Sequence, residues 1–172
     1  MPKGIFNVPV AKNEPVLGYA PGSPERIALK AKIEELRSIE VDLPMVIGGL
    51  DVYTDRKIRM FPPHDIAHTL GYYNQGDASH VEMSIDAALA AREDWANLAW
   101  QHRASIFLKA ADLLAGPYRS KINAATMLGQ SKNIYQAEID AACELTDFLR
   151  FNVKYMTDLY KFQPHSPAGV WG

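Results

Sequence analysis

The sequence predicts a mostly α-helical fold with a few short antiparallel strands near residues 43–73. Two observations carry this. Apolar residues recur at helical spacing from Ser79 to Lys161, interrupted only by short turn signals. The short apolar runs that alternate with Gly and Pro are confined to LPMVIGGLDVYT, KIRMF and AHTLGYY.

The elements follow in order. Residues 1–22 hold Pro2, Pro9, Pro15, Pro21, Gly18 and Gly22, and read as an extended arm lying on something larger. Ser23-Pro24-Glu25 starts a helix: Ser caps, Pro takes the first helical position, and Glu complements the N-terminal dipole. Leu29, Ile33 and Leu36 carry that helix to about Arg37. Gly48-Gly49 between apolar runs marks a hairpin. Further short strands follow, broken by Pro62-Pro63. Ser79 with Glu82 fits a capping box for the next helix. Its buried stripe is Val81, Ile85, Ala88 and Leu89, closed by Trp95. Residues 100–115 form another helix, with Ile106, Ala110, Leu113 and Leu114 inward, stopped by Gly116-Pro117. A third runs from Tyr118 to Gly129, with Ile122 and Ala125 inward. The last begins near Ile134 and reaches about Lys161 without Gly or Pro. The tail FQPHSPAGVWG reads as loop. A small β region followed by four helices and no further strands reads as part of a larger fold.

The composition narrows the function classes. The chain has 172 residues, 48% hydrophobic and 22% charged, with 18 basic against 20 acidic side chains. A net charge of −2 with no basic run gives no sign of nucleic acid as a partner. No apolar run has the length of a membrane span, and the opening MPKGIFNVPVAKNEP lacks the apolar stretch of a secretory leader. One cysteine makes no internal disulfide, which leads to the expectation of a reducing, cytoplasmic location.

Candidate chemistry is sparse. His64 and His68 stand four apart, a ligand spacing on a helix, but they fall in a strand-and-turn context, so no metal is expected. Cys143 sits mid-helix beside Glu144, whose charge raises a thiol pKa, so it reads as a small packing residue. Glu144, Phe148, Phe151 and Tyr155 share one helical face, which Ala141 and Ala137 extend backward. Two readings of Glu144 stand at this point: a carboxylate set in an aromatic pocket, or an acid at the margin of a core stripe. Neither GxGxxG nor a P-loop is present.

Residues 79–114, SHVEMSIDAALAAREDWANLAWQHRASIFLKAADLL, resemble the first two helices of the aldehyde dehydrogenase superfamily. NEPVLGYAPGSPER, FLKAADLLAGPYR and QAEIDAACELTDFLRFNVKY narrow the resemblance to the 1-pyrroline-5-carboxylate (L-glutamate γ-semialdehyde) dehydrogenases, over about Asn13 to Gln163. The resemblance implies an α/β parent with a Rossmann-type NAD domain. Residues 1–40 are then the arm and first helix, and 41–172 the opening part of the NAD-binding domain. It implies NAD-dependent oxidation of L-glutamate γ-semialdehyde to glutamate in proline catabolism, and a homo-oligomer. It places the family's nucleophilic Cys, general-base Glu, oxyanion Asn and nucleotide-binding residues beyond Gly172. No catalytic, cofactor-binding or metal residue is therefore assigned here, and the isolated chain is expected to be inactive. By resemblance Glu144, with Phe148 and Phe151, is substrate-binding, near the substrate's amino group. The alternative is a non-catalytic helical interaction module.

Overall fold

The computed structural model describes residues 6–162. The predicted tail, apart from Phe162, lies outside the described residues. Helix α1 (Pro24–Arg37) is capped by Ser23, whose side chain accepts from the Arg26 amide. The strands are β1 (Val41–Leu43), β2 (Met45–Ile47), β3 (Leu50–Val52), β4 (Lys57–Met60) and β5 (Gly71–Asn74). Helices α2 (Ala78–Asn97), α3 (Trp100–Ala115) and α4 (Arg119–Gln130) follow. Then comes one long helical run: α5 (Ile134–Ala137), a π-helical segment (Glu138–Glu144) and α6 (Leu145–Phe162).

The hairpin forms where Gly48-Gly49 places it, with Ile47 opposite Leu50 and both glycines at positive φ. The other sheet has the order β1-β5-β4. Its β4–β5 pair is antiparallel, but β1 pairs parallel to β5, so the expectation of antiparallel strands holds only in part. The hairpin and β4 intervene between β1 and β5, giving the chain length to cross over and return in the same direction. Gly71 lets β1 come close: its φ is +141°, and a Cβ there would collide with the Val41 backbone.

Helix α2 departs most from the sequence reading. Its cap is Asp77, not Ser79, and the capping box pairs Asp77 with His80. Ser79 already lies inside the helix, while Asp77 is the last extended residue before it. No residue of α2 is buried, and Val81, Ile85 and Leu89 are 59%, 53% and 59% exposed. The predicted stripe exists but stays largely exposed among the described residues: the hairpin approaches it at Ala87, next to Gly48, and Trp95 meets Phe107 of α3 edge to face.

The core lies elsewhere. Tyr19, Leu29 and Ala124 are buried together, with Leu17, Ile33, Leu36, Met127 and Ile134 around them, joining the arm and α1 to α4. Helices α3 and α6 pack against each other. Ala104 and Ala111 are the buried residues of α3, while Ile106 is exposed. In α4 the buried side chains are Arg119, Asn123, Ala124 and Leu128; Ala125 is exposed and Ile122 half-buried. Ala104 and Ala111 win their places in α3 because small side chains let helices approach closely.

Candidate functional site

The long helical run positions everything at the site. Asn133 caps it, accepting from the Gln136 amide. The π segment then holds one more residue per turn than an α-helix, which rotates all that follows by roughly 100°. Continuous α spacing would put Ala137 and Glu144 on one face. Instead Ala137 and Glu138 are fully buried while Glu144 is exposed.

Glu138 is the centre of a buried polar cluster. Arg119 forms an ion pair with it and donates from Nε at 3.2 and 3.3 Å. Tyr19 Oη and Asn123 Nδ2 each donate to Glu138 Oε2 at 2.8 Å, and the Leu17 amide donates to Oε1 at 2.8 Å. Burial opposes the charge of Glu138, but these donors outweigh it and hold the carboxyl below its ordinary value. Burial, then the Glu138 charge, pushes the Tyr19 hydroxyl up to about 12.

The same cluster fastens the arm. Arg119 donates to the Pro15 carbonyl at 2.7 Å and pairs with Glu14 at 2.5 Å. Arg150 pairs with the other Glu14 oxygen at 2.6 Å. Asp147 accepts from Asn13 Nδ2 at 2.7 Å and from the Glu14 amide at 2.6 Å.

Between arm and helix lies an open cavity of about 810 Å³. Asn13, Glu14 and Val16 form one wall; Ile139, Glu144, Phe148, Phe151 and Tyr155 are among the residues of the other. The structure thus brings Glu144, Phe148 and Phe151 to one cavity. Ala137 and Ala141, predicted on that face, do not reach it, because of the π turn. Three carboxylates border the space. Glu14 is neutralised by two arginines and Asp147 is occupied by the arm, whereas Glu144 has no hydrogen-bond or ion-pair partner among the described residues. Such a site suits a cationic group carried on a short apolar chain.

Cys143 is a largely buried member of the same cavity lining, with Arg119 Nη2 at 3.5 Å and Glu138 Oε1 at 3.9 Å. Burial, then Glu138, raises its pKa, so it is a packed thiol without the base a nucleophile needs. His64 Nδ1 lies 2.8 Å from Ser131 Oγ. Among the described residues no group of three His, Cys, Asp or Glu side chains gathers as a metal site, and no helix is long and apolar enough to cross a membrane.

Sequence reasoning missed the arm's share of the cavity. Glu14, Arg119, Glu138 and Asp147 were not singled out by any motif or spacing. The one available signal was Asp147 standing three residues after Glu144, on neighbouring positions of one helix.

A sequence model of the aldehyde dehydrogenase family matches residues 52–170. The delta-1-pyrroline-5-carboxylate dehydrogenase of Agaricus bisporus is 48% identical over 96% of this chain, and the human mitochondrial protein of that name is 46% identical over 90%. This chain spans only 31% and 27% of those two proteins. The crystal structure of the Mycobacterium tuberculosis delta-pyrroline-5-carboxylate dehydrogenase superposes with a TM-score of 0.92 at 49% identity, over 97% of this chain and 31% of that one. Relatives from Dictyostelium discoideum, Emericella nidulans, mouse and human are named as mitochondrial, which overturns the expectation of a cytoplasmic location. A lone thiol reports on redox chemistry and carries no address. With its helical order, its sheet and its matched residues in agreement, the chain belongs to the aldehyde dehydrogenase family.

Proposed function

We propose that this chain is one part of a longer NAD-dependent dehydrogenase that oxidises L-glutamate γ-semialdehyde to L-glutamate in proline catabolism, and that Glu144 receives the substrate's ammonium. The observation that carries this is the Glu144 carboxylate, without a partner among the described residues, lining one cavity with Phe148, Phe151 and Tyr155. The relatives' names support the substrate class, and solved relatives with bound NAD support the cofactor. A charge-assisted hydrogen bond there contributes about 1.5–3 kcal/mol.

The described residues do not themselves fit NAD. Helix α2, which follows β5, opens on Asp77, whose carboxylate accepts from the Ser79 and His80 amides and is held well below its ordinary pKa. An anion thus occupies the amides that a pyrophosphate would need. In our reading residues 41–162 begin a Rossmann-type domain whose nucleotide contacts come from other parts of the full polypeptide. The role of this chain is to bind and orient the amino-acid end of the aldehyde. Isolated, it does not turn over.

The test is Glu144→Gln in the full-length enzyme. KM for glutamate semialdehyde should rise about tenfold or more, with little change for propionaldehyde. L-Glutamate should lose its advantage over glutarate, which lacks the ammonium, as a competitive inhibitor. Equal effects on both aldehydes would remove the recognition role.

A second reading, a helical interaction module that pairs with another copy, rests on the exposed apolar face of α2.

A further inference from the structure

The arm belongs to the site as much as the long helix does. No residue from 6 to 22 lies in a helix or strand, so no ladder of backbone hydrogen bonds sets its path. Its place at the cavity is set by side chains of the facing helices. Asp147 holds two consecutive points, the Asn13 amide group and the Glu14 backbone N–H. Arg119 and Arg150 hold the Glu14 carboxylate from either side. The result is that Val16, 53% exposed, stands in the wall facing Phe148, Phe151 and Tyr155.

We infer that Asp147 is a positioning residue that fixes the arm as the second wall of the cavity, and that Val16 on this wall is a specificity-determining residue for the aldehyde whose ammonium meets Glu144. The inference rests on the substrate reading above. Both Asp147 oxygens are in use, so an amide of the same shape keeps one acceptor and loses the charge. In Asp147→Asn the Glu14 N–H keeps the acceptor only if the NH2 group faces Asn13, where reversal of the Asn13 amide restores a neutral bond, so the hold on the arm weakens. Val16 makes no side-chain hydrogen bond, so enlarging it narrows the cavity while leaving every arm contact in place.

The experiment uses the full-length enzyme with Asp147→Asn, Val16→Trp and Glu144→Gln, assayed on glutamate semialdehyde and on propionaldehyde. L-Glutamate and glutarate serve as inhibitors. Asp147→Asn should raise KM for the semialdehyde about fivefold, more than it lowers kcat, and more than it raises KM for propionaldehyde. Val16→Trp should show the same preference against the longer substrate. It carries the test alone if Asp147→Asn does not fold. A Val16→Trp enzyme that treats both aldehydes as the parent does overturns the inference. So does an Asp147→Asn enzyme that loses kcat and KM alike on both. If Glu144→Gln abolishes the preference for L-glutamate over glutarate while Val16→Trp changes nothing, the arm proposal alone falls. If Glu144→Gln leaves that preference intact, the recognition reading falls with it.

Discussion

Glu138 keeps its charge although its side chain is fully buried, because four partners donate to it. Its folded pKa lies below its unfolded value, so its stabilisation is full above the ordinary carboxylate range. That stabilisation is lost as pH falls through the folded value. Thermal unfolding should therefore show a loss of stability as pH falls below the ordinary glutamate range. Glu138→Gln should cost on the order of 3 kcal/mol at neutral pH, leaving Arg119 under-paired, and should flatten this acid limb. An unchanged limb in the variant would place the acid sensitivity elsewhere. None of this was legible in sequence, where Glu138 and Arg119 stand 19 residues apart and look like surface charges. The burial of Cys143 was legible, since its place mid-helix already read as that of a small packing residue.

At the scale of elements, local chemistry explains most boundaries. Ser23-Pro24 starts α1, Gly48-Gly49 turns the hairpin and Gly116 ends α3. The π segment is where local reading fails. No residue type marks it; it arises because Glu138 seeks Arg119 and Tyr19 while Thr146, Val153 and Thr157 pack below, and one extra residue reconciles the two faces. Gly71 is a second tertiary demand. Gly71→Ala would drive a methyl into β1 at a backbone conformation that L-residues avoid. It should cost on the order of 3 kcal/mol and open the β1–β5 pair. Faster amide exchange at the Val41–Leu43 strand would report that opening, and retained protection there would refute it.

At the scale of the molecule, the chain presents 12104 Å² of accessible surface, against roughly 8400 Å² for a compact chain of this size. Among the described residues Val46, Leu50, Val81, Ile85 and Leu89 of the hairpin and α2 are exposed apolar side chains. Surfaces of that kind associate. Sedimentation of the isolated chain should show concentration-dependent self-association that Ile85→Lys weakens. A monomer at all concentrations would count against the interaction reading.

Taken by itself, the sequence determined the helices, the Ser23 cap and the glycine turns, the helical face that joins Glu144 to Phe148 and Phe151, and the family. These depend on neighbours within a few positions, or on patterns that read directly. Only the tertiary structure decided that the arm completes the cavity, that α2 stays largely exposed, that β1 runs parallel to β5, and that Glu144 alone among three carboxylates has no partner among the described residues. Those outcomes turn on which charge meets which across more than a hundred residues of chain, as Glu14 does with Arg119 and Arg150, and spacing carries no record of that choice.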